Sequence, residues 1–153
     1  MREETNVGFK ISSATIPAKD LAAHLGLKPD RSWLLGQARG VFGVVEKMHG
    51  FELESKLGPQ SSLEEHIKSM LERLAPCAQK IGALGTQVVA EFSCSIKRRK
   101  APILHFDHAT IRWLGVMNAR LDIDTQIVVD APPPKAGGAA GAAGAAGGEA
   151  PKT

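Results

Sequence analysis

Residues that could bind a ligand or a partner are concentrated in one stretch of the N-terminal third. Two of them, Arg31 and Trp33, follow a Pro-containing turn, and a second arginine, Arg39, lies in the Gly-rich loop after them. A guanidinium group binds anions through paired hydrogen bonds and stacks on planar groups. Two carboxylates, Glu52 and Glu54, follow on a predicted strand. The sequence therefore predicts a binding site formed by Arg31, Trp33, Arg39, Glu52 and Glu54.

The same residues have a purely structural interpretation. The ring of Trp33 would fill the core, and Arg31 would form a local ion pair with Asp30. Loops often carry binding residues on a rigid scaffold, so the loop from Arg31 to Arg39 stays a candidate site.

Histidines and carboxylates in the C-terminal third could bind a metal ion. His105, Asp107 and His108 are close in sequence, and Asp122 and Asp124 follow on a later predicted strand. Imidazole and carboxylate groups are ligands for zinc and other divalent ions. The first three residues cross a predicted strand-to-helix junction, so their side chains diverge, and the known zinc spacings are absent. A small metal-dependent hydrolase or ligand-binding enzyme using His105, Asp107 and His108 is the alternative, and the leading hypothesis requires no metal or cofactor.

Four consecutive cations, Lys97, Arg98, Arg99 and Lys100, form a predicted turn that could contact phosphates. Such contacts give a salt-dependent affinity that does not depend on base sequence. No aromatic residues are interleaved with them, as a single-strand binder requires, and the net charge of +3 is small for a nucleic-acid-binding protein. A solvated hairpin tip is favoured, and nucleic-acid binding through Lys97–Lys100 is a weaker alternative.

The sequence contains no recognisable pairing of a catalytic nucleophile with a base. Cys77 and Cys94 have apolar neighbours on a predicted helix and a predicted strand, which is typical of reduced core residues in a cytosolic protein. Neither a G-x-S-x-G motif nor a phosphate-binding or dinucleotide-binding loop occurs. A role without catalytic chemistry is therefore favoured over an enzyme.

Hydrophobic periodicity predicts strands and helices in the order β-α-β-β-α-β-β-α-β. Val41–Lys47 and Phe51–Ser55 are predicted to form a hairpin that turns through residues 48–50. A second hairpin is predicted to return from the basic turn through Ile103–Phe106. These hairpins favour an α+β fold, a two-layer sandwich of a mostly antiparallel sheet with helices packed on one face.

Three helix ends are marked by residues that cap helices. Gly26 is expected to end the first helix in a left-handed conformation. Ser61 or Ser62 is expected to cap the second helix, and Asp107 is placed to cap the last one.

Composition predicts one domain over residues 1–130, followed by a disordered tail over residues 131–153. The tail consists almost entirely of Ala, Gly, Pro and Lys, which cannot bury enough apolar surface to offset the entropy of ordering. No apolar run is long enough to span a membrane, and the N-terminal residues lack the apolar stretch of a signal peptide. The chain is therefore expected to be a cytoplasmic protein that does not enter a membrane.

Several separated motifs resemble one bacterial family. The segments LGLKPDRSW, HGFELES, SLEEHI and LDIDTQI follow the pattern of the family called domain of unknown function 4279. Phe51 stands where that family commonly has tryptophan, so one aromatic ring replaces another. The resemblance covers roughly residues 7–129, implies the fold and assigns no catalytic residue. Some members resemble small immunity or accessory proteins.

The leading hypothesis is a bacterial binding or accessory module, for example of the immunity type, whose partner is another protein. It would present the loop from Arg31 to Arg39 together with the polar face of the sheet. That face is predicted to comprise Lys10, Glu52, Glu54, Glu91, Asp122 and Asp124.

Overall fold

The computed structural model describes residues 2–130, which form a five-stranded sheet, a two-stranded ribbon and four α-helices. In chain order these are β1 (Glu4–Ser13), α1 (Ala18–Leu25), β2 (Arg31–Trp33), β3 (Ala38–Arg39), β4 (Val44–Val45), β5 (His49–Glu54), α2 (Leu63–Leu74), α3 (Ala78–Ala83), β6 (Val89–Arg98), α4 (His108–Val116) and β7 (Ala119–Ile127). None of the helices within residues 2–130 is long and apolar enough to cross a bilayer. The predicted tail, residues 131–153, lies outside the described residues.

The five strands of the sheet lie in the order β2-β5-β1-β6-β7. Neighbouring strands are antiparallel except β6 and β7, which run parallel. A parallel pair needs a long crossover connection, and the segment that contains α4 supplies it. The predicted α+β fold, a mostly antiparallel sheet with helices packed on one face, is confirmed.

The core lies between the helices and one face of the sheet, which we call the helix face. Phe51, Phe9 and Phe92 come from three adjacent strands and have no exposed surface. The ring centroids of Phe9 and Phe92 are 5.2 Å apart. Full burial of one such side chain stabilises a fold by roughly 1.5–3 kcal/mol. Helix α2 contributes an apolar stripe with helical spacing, all of it buried: Leu63, Ile67, Met70, Leu71 and Leu74.

The three predicted helix ends are confirmed. Ser62 caps α2, because its Oγ accepts from the Glu65 N–H (3.2 Å) while the Glu65 carboxylate accepts from the Ser62 N–H (2.7 Å). Asp107 caps α4 by accepting from the N–H of Thr110 (2.8 Å), and this bond lowers the pKa of its carboxyl group. Gly26 ends α1 with φ of +67°, which glycine adopts without strain.

The predicted hairpin between Val41–Lys47 and Phe51–Ser55 is wrong. Gly40 and Gly43 adopt φ of +66° and +67° and turn the chain, so β4 pairs back onto β3 as a separate ribbon. Gly43 therefore interrupts Val41–Lys47, the first strand of the predicted hairpin, and the pattern of apolar residues did not reveal this turn.

Gly50 was predicted to lie in a turn, and it lies inside β5 instead. A Cβ at this position would be 2.6 Å from the Trp33 ring and 2.9 Å from the carbonyl oxygen of Ile11. A glycine within a strand often marks such a close approach rather than a turn.

The predicted return strand Ile103–Phe106 is also wrong, since residues 101–107 form no regular secondary structure. β6 pairs with β1 on one side and with β7 on the other, so it has no edge left for an antiparallel return strand. The predicted basic turn also begins too early, because Lys97 and Arg98 belong to β6. The element order therefore differs from the predicted one at both hairpins.

Cys77 and Cys94 are free and buried, as predicted. Burial raises the pKa of the Cys94 thiol to about 12 and also raises the pKa of Cys77. Thiols that stay protonated at neutral pH are poor nucleophiles, so both residues act as small apolar side chains.

Candidate binding surface

The candidate binding surface is the second face of the sheet, which we call the open face. Side chains alternate along a strand, so the residues between the core positions point to this face. In β1, β5, β6 and β7 these residues are largely polar, and many are partly or fully exposed. The surface is therefore built by the same strands that supply the core.

A row of alternating charges crosses all five strands on the open face. The strand register sets Arg31 opposite Glu52, Glu52 opposite Lys10, Lys10 opposite Glu91, and Glu91 opposite Arg120. Opposite charges at facing positions attract by roughly 0.2–1 kcal/mol per pair. Both ends of the row are closed by ion pairs, Arg31 with Glu52 and Arg120 with Glu91. We call these five residues the charge row.

The structural interpretation expected an ion pair between Arg31 and Asp30, and this expectation is wrong. Its guanidinium binds the Glu52 carboxylate and lies 4.0 Å from that of Glu54, and the bond to Glu52 raises the pKa of Arg31. Asp30 accepts instead from Lys56 (2.6 Å) and from the N–H of Glu54 (2.8 Å). These two bonds lower the pKa of the Asp30 carboxyl group.

Most of the predicted site lines one cavity of about 240 Å³. Arg31, Trp33, Arg39 and Glu52 border it, together with Lys10 of the charge row. Arg39 comes from β3 and lies 3.7 Å from a Glu46 carboxylate oxygen at the base of the ribbon. Trp33 is half-buried over Gly50 on the open face, so the expectation that its ring fills the core is wrong.

The ribbon ends in an apolar tip next to this cavity. Val41 and Phe42 lie between the two turn glycines and are 98% and 95% exposed. Val44 and Val45 on β4 are exposed as well. Single exposed apolar residues are ordinary, whereas a contiguous group of them marks an interaction site. We call Val41 and Phe42 the ribbon tip.

A second cavity, of about 310 Å³, lies on the other side of the charge row. Small residues from β1 and β6, among them Gly8, Ser93 and Ser95, line it. Glu54, the remaining residue of the predicted site, borders this cavity, and Glu52 borders both. The Glu52 carboxylate lies over Gly8, where a Cβ would be 2.5 Å from Oε1.

His66 is a buried polar residue that borders the second cavity, and it was not among the predicted site residues. It is 1% exposed, and its Nδ1 lies 2.7 Å from Oγ of Ser55. Its Nε2 has no hydrogen-bond partner among the described residues. Burial lowers the pKa of His66. This effect is larger than the opposite one of the Gly58 backbone and the negative charge of Glu65, which raise the pKa. The available signal was its position on the apolar stripe of α2.

Arg120 was also missed, although it belongs to the charge row. It precedes Asp122 and Asp124 at alternate positions of β7, which is the signal that could have placed it on the same face. Its pKa is raised by the hydrogen bonds it donates to Glu91.

The residues of the metal alternative do not form a ligand cluster. Nowhere in residues 2–130 do three His, Cys, Asp or Glu side chains lie close enough to hold a metal ion. The Asp107 carboxylate caps α4, and the backbone N–H of His105 donates to Glu64 of α2 (3.0 Å). Asp122 and Asp124 lie on the open face of β7, so they do not join His105, Asp107 and His108.

Three of the four cations in the basic stretch contact neighbouring groups. They are Lys97 with Glu4 (2.6 Å), Arg98 with the Thr5 hydroxyl (2.7 Å) and Arg99 with Asp130 (3.6 Å). These contacts tie the end of β6 to β1 and to the end of the described chain. The carboxylates of Glu4 and Asp130 also partly neutralise the positive charge that binding to phosphates would need.

The fold and the open face together define the class of the protein: a two-layer α+β domain with a helix-covered core and an ion-paired polar surface. The family model described as Domain of unknown function (DUF4279) matches residues 3–128, and the chain belongs to this family. Searches of the curated proteins and of the solved structures give no significant match.

Proposed function

We propose that this chain is a non-catalytic binding module whose open face docks a protein partner, as a bacterial cytoplasmic accessory or immunity-type protein would. The observation that carries the proposal is the ribbon tip beside the first cavity. Two almost fully exposed apolar residues, Val41 and Phe42, directly follow Gly40, which borders the cavity together with an indole ring and two guanidinium groups.

This combination matches the composition of protein interfaces. Aromatic residues and arginine are enriched at interface centres, and they supply much of the binding energy there. Phe42 would insert into an apolar pocket of the partner, while Arg39 would pair with a carboxylate at its rim. The cost of exposing Phe42 in the free protein is recovered when the partner covers it.

The charged groups of the open face support binding rather than catalysis. Arg31, Arg120 and Lys56 each form an ion pair with a carboxylate, and each pair holds its two side chains in place. The contact between Ser55 and His66 joins the serine hydroxyl to Nδ1 of a ring that is 1% exposed. Catalysis would need an acid, a base or a nucleophile arranged around a reacting atom.

The test begins with a tagged full-length chain used to enrich partners from a lysate of its own organism. The identified partner is then purified, and its affinity is measured by calorimetry against the wild type and against Phe42→Ser. Loss of a central aromatic side chain is expected to weaken binding by roughly tenfold or more.

Ile103→Ser is the matched control. Ile103 is 94% exposed, like Phe42, and lies in the segment between β6 and α4 rather than on the ribbon. It should leave the affinity unchanged. Equal affinities for wild type and Phe42→Ser, or equal losses in both variants, would contradict docking through the ribbon tip.

A further inference from the structure

The two edges of the sheet differ in how much strand they could offer to another chain. β2 has three residues and follows Pro29, whereas β7 has nine and contains no proline. Among residues 2–130, β7 pairs with β6 alone. Proteins usually shorten, kink or cover an exposed edge strand, because its free N–H and C=O groups pair with other strands. β7 has none of the proline or shortening that protects β2.

One hydrogen bond shows which groups of β7 face outward. The N–H of Val128 donates to the carbonyl of Arg98 (2.8 Å), and Arg98 lies opposite Ile127 in the parallel ladder. The backbone groups of successive strand residues point to opposite sides, so the even-numbered residues of β7 face β6. The odd-numbered residues, including Leu121, Ile123 and Thr125, therefore direct their N–H and C=O groups away from the sheet.

The side chains of β7 are complementary to those of a second copy of the same strand. In an antiparallel pairing about a two-fold axis at Asp122, Arg120 faces the partner's Asp124, and this contact occurs twice. On the helix face, Leu121 then lies opposite the partner's Ile123. Asp122 meets its own copy on the axis, and Arg120 of the same chain, 3.8 Å from Asp122, offsets part of that repulsion. An axis at Ile123 would instead set Asp122 against the partner's Asp124 twice.

An exposed apolar residue lies on the side of α4 that faces away from α2. Trp113 of α4 lines a groove with Leu71 of α2. At about 100° per residue, Ile111 lies nearly opposite Trp113 around the helix and so faces away from α2. Ile111 is 59% exposed, and its helix packs against β7 as well as against α2. A second copy at this edge would cover Ile111.

We propose that two copies of the chain pair through β7, antiparallel and about a two-fold axis at Asp122, to form one continuous sheet. The outward N–H and C=O groups of Ala119, Leu121, Ile123 and Thr125 supply the hydrogen bonds. The Arg120–Asp124 contacts select the register. The dimer places two open faces on one extended surface, so each assembly carries two ribbon tips.

The experiment uses the full chain. Its mass is measured by light scattering and sedimentation equilibrium from about micromolar to about millimolar concentration, and a concentration-dependent dimer is expected. Thr125→Pro removes one outward N–H and places a ring at the edge, while the hydrogen bonds between β6 and β7 stay intact. This variant should dissociate the dimer and keep its circular dichroism spectrum and cooperative melting.

A charge swap tests the register. Asp124→Arg places an arginine opposite the partner's Arg120 at both symmetric contacts. The dimer dissociation constant should therefore rise roughly tenfold. Adding Arg120→Asp should restore the affinity, whereas Arg120→Asp alone should not. A monomer at about millimolar concentration, a dimer that Thr125→Pro leaves intact, or a double variant no tighter than Asp124→Arg would each overturn the proposal.

Discussion

The two faces of the sheet are built from neighbouring residues of the same strands and differ in almost every physical property. The register sets Phe9 opposite Phe92 on the helix face and, one residue along, Lys10 opposite Glu91 on the open face. The phenylalanines have no exposed surface, while Lys10 and Glu91 are partly exposed. One residue of displacement along a strand separates the stabilising layer from the candidate binding layer.

The energies of the two faces explain why only one of them is free to serve recognition. Burying a phenylalanine is worth roughly 1.5–3 kcal/mol, whereas an exposed ion pair contributes about 0–1 kcal/mol. Substitutions on the open face therefore cost the fold little. Residues of the open face can therefore be replaced to suit a partner without loss of the fold, whereas those of the helix face cannot.

The comparison predicts its largest effect at Phe92. Phe92→Ala leaves a cavity beside Phe9 and should lower the free energy of unfolding by roughly 3–5 kcal/mol. Urea denaturation followed by circular dichroism measures this loss. Its neighbour in sequence, Glu91, provides the open-face counterpart below, and equal losses at both positions would remove the distinction between the faces.

Gly50 tests the packing of the Trp33 ring on the open face. Gly50→Ala sets a methyl group against the Trp33 ring and the Ile11 carbonyl, so a loss of roughly 1–3 kcal/mol is expected in the same assay. Gly58→Ala is the control, because no heavy atom lies within 4 Å of its added Cβ. Similar stability of the two variants would show that Trp33 does not pack on β5.

His66 makes stability depend on pH near neutrality. Its pKa in the folded protein lies below the ordinary histidine value of 6.5, so the unfolded chain binds the proton more readily. The free energy of unfolding should therefore fall as pH drops through 6.5 towards the lowered pKa, and be fully retained above 6.5.

The measurement is the urea midpoint at about pH 7.5 and about pH 5.5, bracketing histidine titration. His66→Gln should show a smaller decrease on acidification than the wild type, even if its stability is lower at both pH values. His24→Gln, at an exposed position of α1, should decrease like the wild type. An unaltered decrease in His66→Gln would show that another group is responsible.

The smallest effect is expected in the charge row. Glu91→Gln removes the ion pair with Arg120, whose side chain is 63% exposed, so the free energy of unfolding should change by less than about 1 kcal/mol. The difference between variant and wild type should shrink in about 1 M salt, which screens such pairs. A loss comparable to that of Phe92→Ala would mean that the charge row is part of the structural core.

Local patterns predicted the helix face well. The stripe of α2 and the caps at Ser62 and Asp107 depend on residues three or four apart, whose geometry the sequence fixes. Apolar and polar residues also alternate in the sequences of β1 and β6, and the alternate apolar residues Val7, Phe9, Ile11, Ala90, Phe92, Cys94 and Ile96 are buried. The family resemblance, found from separated motifs, is confirmed over residues 3–128.

Contacts between strands that are distant in sequence could not be predicted from local patterns. The charge row needs the register of five strands at once, so Lys10 and Glu91 could be assigned to one face but not to facing positions. Gly50 resembles a turn residue until the approach of Trp33 is known. The missing strand at 103–106 depends on β7 occupying the edge of β6, which no local pattern records.

Four of the five residues of the predicted site lie together in the structure. Arg31, Trp33, Arg39 and Glu52 line one cavity, because β2 and β5 are paired and the ribbon follows β2. The ribbon tip was not identified, since Val41–Lys47 resembles an ordinary strand.

Hydrogen exchange of the complex with its identified partner tests the central claim most directly. Exchange of backbone amides is compared between the free chain and the complex by mass spectrometry. Docking through the open face predicts new protection in residues 31–46, which cover β2 and the ribbon, with little change in α2 and α4. Protection confined to α2, α4 and residues 101–107 would contradict it, and the binding surface would then lie on the helix side of the molecule.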